Sequence, residues 1–399
     1  MGHDVVVTGM ACLCAAGKTP AEALAALGRG ECRLSPATVL DSRALAFPVF
    51  ALDGECFPGG RRASARDTFA LARTVVHKAL AQAALPPELL ADAGLVLGTT
   101  AGSALHFLDA YAASRESGKG ILPAAREDGQ DCAREDYFAS NLALAMDVAA
   151  RGPRLTVTNA CTSGADAIGL GRDMVAAGQC SCVICGGADA LSLVPHTGFA
   201  RLMISSDEAC RPFDRERKGL NLGEGAAALV LESAASARQR GAAVLGQVLG
   251  YGSAADAHHF TAPHPQGRGL ADALGAALAQ AGLEAKDLAF VNAHATSTRE
   301  NDRVEGHVLL QMLPRTPVWA SKGGTGHTLG AAGALEAVLT LAALNLGRVP
   351  ASTGFSASDP EIGLSPTQEA LSVSLPYAVS TSLGFGGGNA ALILGRGDA

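Results

Sequence analysis

One segment constrains the fold of this chain more than any other. From Thr328 to Leu346 the only charged residue is Glu336, and Leu and Ala supply most of the remainder. A helix that is apolar on every side has no face to give to water, so it must be buried on every side. Glu336 is then a carboxylate in the core, and such a group needs a cation beside it. Ser163–Ala177 is nearly as bare, with only Asp166, Arg172 and Asp173 as charges.

Composition says what surrounds these helices. Of 399 residues, 48% are hydrophobic but only 4% aromatic, and 48 are Gly, so the core is built from small and aliphatic side chains. That length suits two domains or one duplicated domain, and the low charge, 17%, excludes general disorder. With 31 basic against 38 acidic residues the net charge is −7, which gives no general face for nucleic acid. The segment Met1-Gly2-His3-Asp4 has no basic leader, and Val6 stands where a myristoylation signal needs Ser or Thr. The longest apolar runs meet Glu, Gly or Pro before membrane-spanning length. The ten cysteines are expected to be free thiols. A cytoplasmic chain with neither a membrane nor a nucleic-acid partner is the expectation.

Short apolar runs alternate with longer Ala/Leu-rich segments, the pattern of an α/β protein. Strands are expected at Val5–Thr8, Val96–Gly98, Leu155–Thr158, Val183–Gly186 and Ala227–Leu231. A second set follows at Val244–Leu249, Ala289–Val291, Val318–Ala320, Ala378–Ser380 and Ala391–Leu394. Helices are expected at Thr68–Ala84, Asn141–Ala150, Ser163–Ala177, Leu270–Ala281 and Thr328–Leu346. The two similar sets predict a duplicated fold, residues 1–245 and 246–399.

Three motifs sit just past strand ends, where α/β proteins place their sites. In Leu155-Thr-Val-Thr-Asn-Ala-Cys161-Thr-Ser-Gly164 a cysteine stands at the start of a helix. The unpaired N–H groups there favour thiolate and can receive an oxyanion. Asn292-Ala-His294-Ala-Thr296-Ser-Thr298 and Ser321-Lys322-Gly-Gly-Thr-Gly-His327-Thr-Leu-Gly330 each bring a histidine. Any one motif alone reads as structural. Together they read as a nucleophile with two imidazoles.

With these motifs the sequence resembles the β-ketoacyl-acyl-carrier-protein synthases of the elongating, Cys-His-His type, in the thiolase superfamily. Val5-Val-Val-Thr-Gly9, Arg211-Pro-Phe-Asp214, Gly223-Glu-Gly-Ala226 and Gly384-Phe-Gly-Gly-Gly-Asn389 extend the resemblance over nearly the whole chain. It implies a duplicated, five-layered α-β-α-β-α thiolase fold, with the two bare helices in the middle layer. It implies decarboxylative condensation of an acyl group with malonyl-acyl carrier protein, needing no cofactor and no metal. Cys161 would form the acyl-enzyme, and His294 and His327 would stabilise the enolate left when carbon dioxide departs. The N–H groups of Cys161 and Phe385 would form the acyl oxyanion hole, with Phe385 also gating the cavity and Phe385 and Gly384 binding substrate. Thr296 and Thr298 would bind the phosphopantetheine arm, and Asp302 and Glu305 would support the site. The resemblance pairs Lys322 with Glu336 beside the histidines, in an electrostatic role. It also implies a homodimer, with a heterodimer with a ketosynthase-like chain as the alternative.

Four residues depart from the usual family pattern. Ala295 stands for Gly and is expected to tighten the backbone. Gly388 stands for Thr, which removes a hydroxyl near the gate, and Gly323-Gly324 predicts a more mobile turn. These leave acyl chain and pathway open, fatty-acid, polyene or polyketide-type. Ser103, His106 and Phe107, within Gly102–Tyr111, are expected to line the acyl pocket. Cys182-Val-Ile-Cys185, with Cys180, reads as a buried thiol strand rather than a zinc site, and Cys12 and Cys14 as core. His258, His259 and His264 read as an exposed loop. Arg61, Arg62, Arg66, Arg151 and Arg154 read as solvated charges, or as a patch for an acidic carrier protein. The competing reading is a non-catalytic chain-length-factor-like partner, and the presence of Cys161 argues against it.

Overall fold

The protein is described by a computed structural model covering residues 4–38, 40, 47–57, 65–102, 114–118, 144 and 147–397. Expectations for Ser103, His106, Phe107, Arg61, Arg62, the Arg66 side chain and half of Asn141–Ala150 lie outside the described residues. The strands are β1 (Val5–Cys14), β2 (Gly94–Gly98), β3 (Arg154–Val157), β4 (Cys182–Asp189), β5 (Gly225–Ser233) and β6 (Gly246–Ala255). They continue as β7 (Leu288–Asn292), β8 (Val318–Trp319), β9 (Arg348–Val349), β10 (Leu371–Ser372), β11 (Tyr377–Gly384) and β12 (Gly388–Arg396). The helices are α1 (Pro20–Gly28), α2 (Ala65–Ala83), α3 (Pro87–Ala91), α4 (Ser163–Ala176) and α5 (Leu193–Arg201). After them come α6 (Ala234–Gln239), α7 (Arg268–Ala281), α8 (Arg299–Met312), α9 (Lys322–Thr325) and α10 (Ala332–Leu346).

Every expected strand is present. Ten of the strands run in the order β3-β2-β4-β5-β1-β6-β12-β11-β7-β8. In the first five, β1 is antiparallel to β5, β5 antiparallel to β4, and β4 parallel to β2, which is parallel to β3. β6, β12, β11, β7 and β8 repeat the same order with the same directions. The two runs join only at Val6↔Gln247 and Val7↔Gly246. So short a junction lets the sheet fold over on itself.

Helices α4 and α10 lie between the two runs. α10 packs on α4 and touches β4 and β5 of the first run and β11 and β12 of the second. α2 covers the outer face of β1 and β5, and α7 covers β6 and β12. The result is the five-layered α-β-α-β-α arrangement. Glycine makes the middle layer possible. A Cβ at Gly164 would lie 2.7 Å from the Gly330 oxygen, and one at Gly333 would lie 2.7 Å from the Ala165 Cβ.

Two expectations about these helices are corrected. α4 is buried over its first turns, but Leu170 is 37% exposed and the Asp173 side chain 45%, so it is not closed on all sides. The apolar runs are also not all short of membrane-spanning length. Leu329–Leu346 qualifies by length and composition, with a mean hydropathy of 1.6, yet 83% of it is buried inside the protein. That is how a core helix sits.

Candidate active site

Cys161, His294 and His327 are brought together by three loops at the ends of β3, β7 and β8. Cys161 Sγ lies 3.0 Å from His327 Nε2. The two imidazoles meet edge to face, with centroids 5.2 Å apart, and all three residues are buried. Each loop has its own brace. Thr100 Oγ1 and Ser163 Oγ donate to the carbonyl of Ala160, whose φ of 48° turns the chain sharply just before Cys161. Glu305 accepts from the backbone N–H groups of His294 and Ala295, at 2.8 and 2.7 Å, and from Thr381 Oγ1. Asp302 accepts from Ser297 and Phe213 N–H. The His327 loop is tied by Gly330 N–H to the Asp189 carboxylate, which also accepts from Thr100 and Ala101.

Lys322 Nζ contacts Glu336 and also lies 3.2 Å from His294 Nδ1, with Lys322 and Glu336 both fully buried. The core carboxylate therefore has its cation. An ammonium can only donate, so His294 Nδ1 accepts, and its proton resides on Nε2. Burial, reinforced by Lys322 and by His327, holds His294 well below the ordinary imidazole value. Burial and Lys322 do the same to His327, whose Nδ1 has no hydrogen-bond partner among the described residues. Both rings are neutral at physiological pH: His294 donates from Nε2, and His327 Nε2 faces the Cys161 thiol.

The thiol corrects an expectation. A helix start was expected to favour thiolate, but burial pushes Cys161 up to about 12, while the Lys322 charge and the Phe385 N–H act the other way. Cys161 also stands two residues before the first residue of α4, so it only partly shares the helix end. At rest the pair is a neutral thiol beside a neutral imidazole. The sulfur and the two imidazole nitrogens lie within 4.8 Å of one another, a separation that suits a metal ion. The Lys322 ammonium against the same cluster opposes a divalent cation there.

A cavity of about 360 Å³ opens onto these residues, lined among others by Thr296, Thr298, Gly384 and Phe385. The Thr296 and Thr298 hydroxyls are 2.9 Å apart. Phe199 was not anticipated from sequence. It stacks on Phe385 at 5.2 Å and 20°, and meets His327 edge-on at 6.4 Å. It lies on α5, away from any strand end, so strand-end reasoning had no reason to select it. The loop of His258, His259 and His264 is more than exposed surface. Thr261–Pro263 form part of the cavity wall, and the Phe260 carbonyl accepts from Gly386 N–H.

The glycine departures also read differently in three dimensions. Gly323 and Gly324 are buried in α9, and a Cβ at Gly323 would lie 1.9 Å from the Thr353 oxygen, so this glycine serves close packing. Ala295 is tight, as expected, with φ of 43°, a region that side chains rarely adopt. Cys182 and Cys185 lie buried within β4, and the nine cysteines among the described residues are all free.

This constellation has counterparts in known proteins. Residues 2–237 match the family description "Beta-ketoacyl synthase, N-terminal domain", and residues 245–356 match "Beta-ketoacyl synthase, C-terminal domain". The chain belongs to the beta-ketoacyl synthase family. A 3-oxoacyl-[acyl-carrier-protein] synthase 2 of Mycobacterium bovis is 35% identical to this ketosynthase over 338 residues, 81% of this chain and 79% of that one. The ishigamide ketosynthase/chain length factor structure superposes with a TM-score of 0.89 at 29% identity, covering 99% of this chain and 100% of that chain. A ketosynthase in complex with its chain length factor from Xenorhabdus doucetiae gives 0.81 at 28% identity, over 99% and 98% of the two chains.

Proposed function

We propose that this ketosynthase condenses an acyl group with a malonyl group, both delivered on acyl carrier protein, to give a 3-oxoacyl-carrier protein. The observation that carries the reading is the Cys161–His327 contact with the Lys322-oriented ring of His294 beside it. As His327 draws the thiol proton away, Cys161 Sγ attacks the acyl thioester. The carbon–sulfur bond to the carrier breaks, and the carrier leaves as its thiol with that proton. Malonyl-carrier protein then binds, its carbon–carbon bond to the carboxylate breaks, and carbon dioxide departs. The electron pair passes into an enolate whose oxygen accepts an N–H bond from His294 Nε2 and one from His327 in the neutral tautomer that carries its proton on Nε2. The enolate carbon attacks the acyl-Cys161 carbonyl, the new carbon–carbon bond forms, and the bond to sulfur breaks, leaving a Cys161 thiolate that takes a proton from water to restore the neutral thiol. The N–H groups of Cys161 and Phe385 hold the oxyanion in both acyl transfers.

Thr296 and Thr298, with hydroxyls together on the cavity wall, are assigned to the phosphopantetheine arm, Gly384 to substrate binding, and Phe385 to substrate binding and the gate. Glu336, Asp302 and Glu305 support the histidine loops. The nucleophile belongs to residues 1–245 and the histidines to residues 246–399. The assembly is assigned as a homodimer, with a heterodimer with a ketosynthase-like chain as the alternative. The free thiols fit a reducing, cytoplasmic location.

The test is the intact mass of the protein after incubation with an acyl-loaded carrier protein. An acyl adduct present in the native chain and absent in Cys161→Ala is expected. No adduct, or one that survives the substitution, favours the chain-length-factor-like reading.

A further inference from the structure

The turn that carries Phe385 stands on the cysteine elbow through two glycines. Gly384 and Gly388 pair directly across the β11–β12 hairpin. A Cβ at Gly384 would lie 3.2 Å from Cys161 N and 3.3 Å from the Asn159 oxygen. A Cβ at Gly388 would lie 3.1 Å from both Asn159 Nδ2 and Oδ1. Both feet of the turn thus rest on residues 159–161.

Asn159 has little freedom to move aside. Its Nδ2 donates to Asp166 Oδ2 at 2.8 Å, and the same oxygen accepts from Thr162 Oγ1 at 2.7 Å. The other carboxylate oxygen accepts from Tyr251 O–H at 2.8 Å. Its backbone N–H donates to Ser163 Oγ, and its carbonyl lies 2.8 Å from Thr162 Oγ1, sharing that hydroxyl's one proton with Asp166. Tyr251 is seated in turn, because a Cβ at Gly169 would fall 2.2 Å from its ring. A line of fixed contacts therefore runs from β6 through α4 to the amide of Asn159 and ends beneath Gly388.

We propose that Asn159 is a positioning residue that seats the Phe385 turn on the Cys161 elbow, and that position 388 is bare because this amide fills the space beneath it. The proposal rests on the reading of Cys161 as nucleophile. Asn159 does not touch the reacting atoms. What it sets is the place of the Phe385 N–H relative to the sulfur. A threonine at 388 would press on an amide that Asp166 holds in place.

The experiment is a double-mutant cycle of Asn159→Ser, Gly388→Thr and both together, on the full chain. Cys161 alkylation by iodoacetamide is followed from pH 7 to 10, with condensation rates and thermal midpoints alongside. Gly388→Thr is expected to slow alkylation and condensation by about tenfold. Adding Asn159→Ser, which shortens the side chain beneath the turn, is expected to restore both to within about threefold. Independent effects of the two substitutions, or a Gly388→Thr protein within about twofold of the native one, would overturn the proposal. Should Gly388→Thr fail to fold, Gly388→Ala with and without Asn159→Ser tests the same contact, with about threefold loss and recovery expected and unrecovered loss overturning it. Alkylation needs no carrier protein. A chain that alkylates readily yet takes no acyl group thus fails as a condensing enzyme while this proposal is still decided.

Discussion

Lys322 Nζ lies 3.2 Å from His294 Nδ1 while also contacting Glu336, so one buried ammonium neutralises a core carboxylate and fixes an imidazole tautomer. The two jobs can be separated. Lys322→Ala leaves Glu336 without its cation, at a cost of about 3–5 kcal/mol, and frees the His294 ring. Lys322→Ala with Glu336→Gln is expected to regain most of that stability in denaturant melts but not the malonyl decarboxylation rate. Acylation of Cys161 remains detectable in both. A double variant that decarboxylates like the native protein contradicts the tautomer role.

The histidines make a prediction about acid. Both are held well below the usual imidazole value, chiefly by burial. As pH falls through about 6.5 the unfolded chain takes up protons that the folded chain refuses, so stability is lost, by up to about 1.4 kcal/mol per pH unit for each ring. His327→Gln should therefore narrow the difference in unfolding free energy between pH 7 and pH 5. The decarboxylation rate should show no inflection near pH 6.5.

Phe199 holds the face of Phe385 and the edge of His327. Phe199→Ala removes a contact worth about 0.5–1.5 kcal/mol beyond its burial and lets the gate ring turn. Acylation should slow about tenfold, the rate equivalent of the upper end of that range, in stopped-flow or quenched mass measurements. Uptake of iodoacetamide, a much smaller reagent, should change less. Equal effects on both would place Phe199 with the base rather than the gate.

Gly323 tests packing against mobility. If its bareness serves the Thr353 oxygen 1.9 Å from the Cβ position, Gly323→Ala overpacks α9 and costs about 1–3 kcal/mol, read as a lower thermal midpoint. An unchanged midpoint would return Gly323 to the role of a flexible hinge.

Much of this architecture was legible in the sequence because the informative segments follow strong local rules. The bare helix at Thr328–Leu346 demanded burial and a partner for Glu336, and both are present. Alternating apolar runs located the ten main strands. What escaped depends on contacts between distant residues. α8 was not among the expected helices, because it buries Asp302 and Glu305, charges that a periodicity search assigns to solvent; only the family resemblance pointed to those two residues. Phe199 matters only because α5 brings it to Phe385. The thiol was misjudged because a helix end is visible in a sequence whereas burial is not.

The middle layer has one further consequence. Where α4 and α10 meet, at Gly164 and Gly333, the main chains themselves are in contact. The separation between Cys161 and His327 is therefore held by peptide backbone in close contact, with the Thr100, Ser163 and Asp189 side chains bracing the two loops. Substitutions at the rim, at Leu202, Met203 or Thr261, can reshape what the cavity admits. The distance over which sulfur and imidazole act rests on this backbone contact and on braces away from the rim, so a new substrate range can arise at the rim without disturbing the chemistry beneath it.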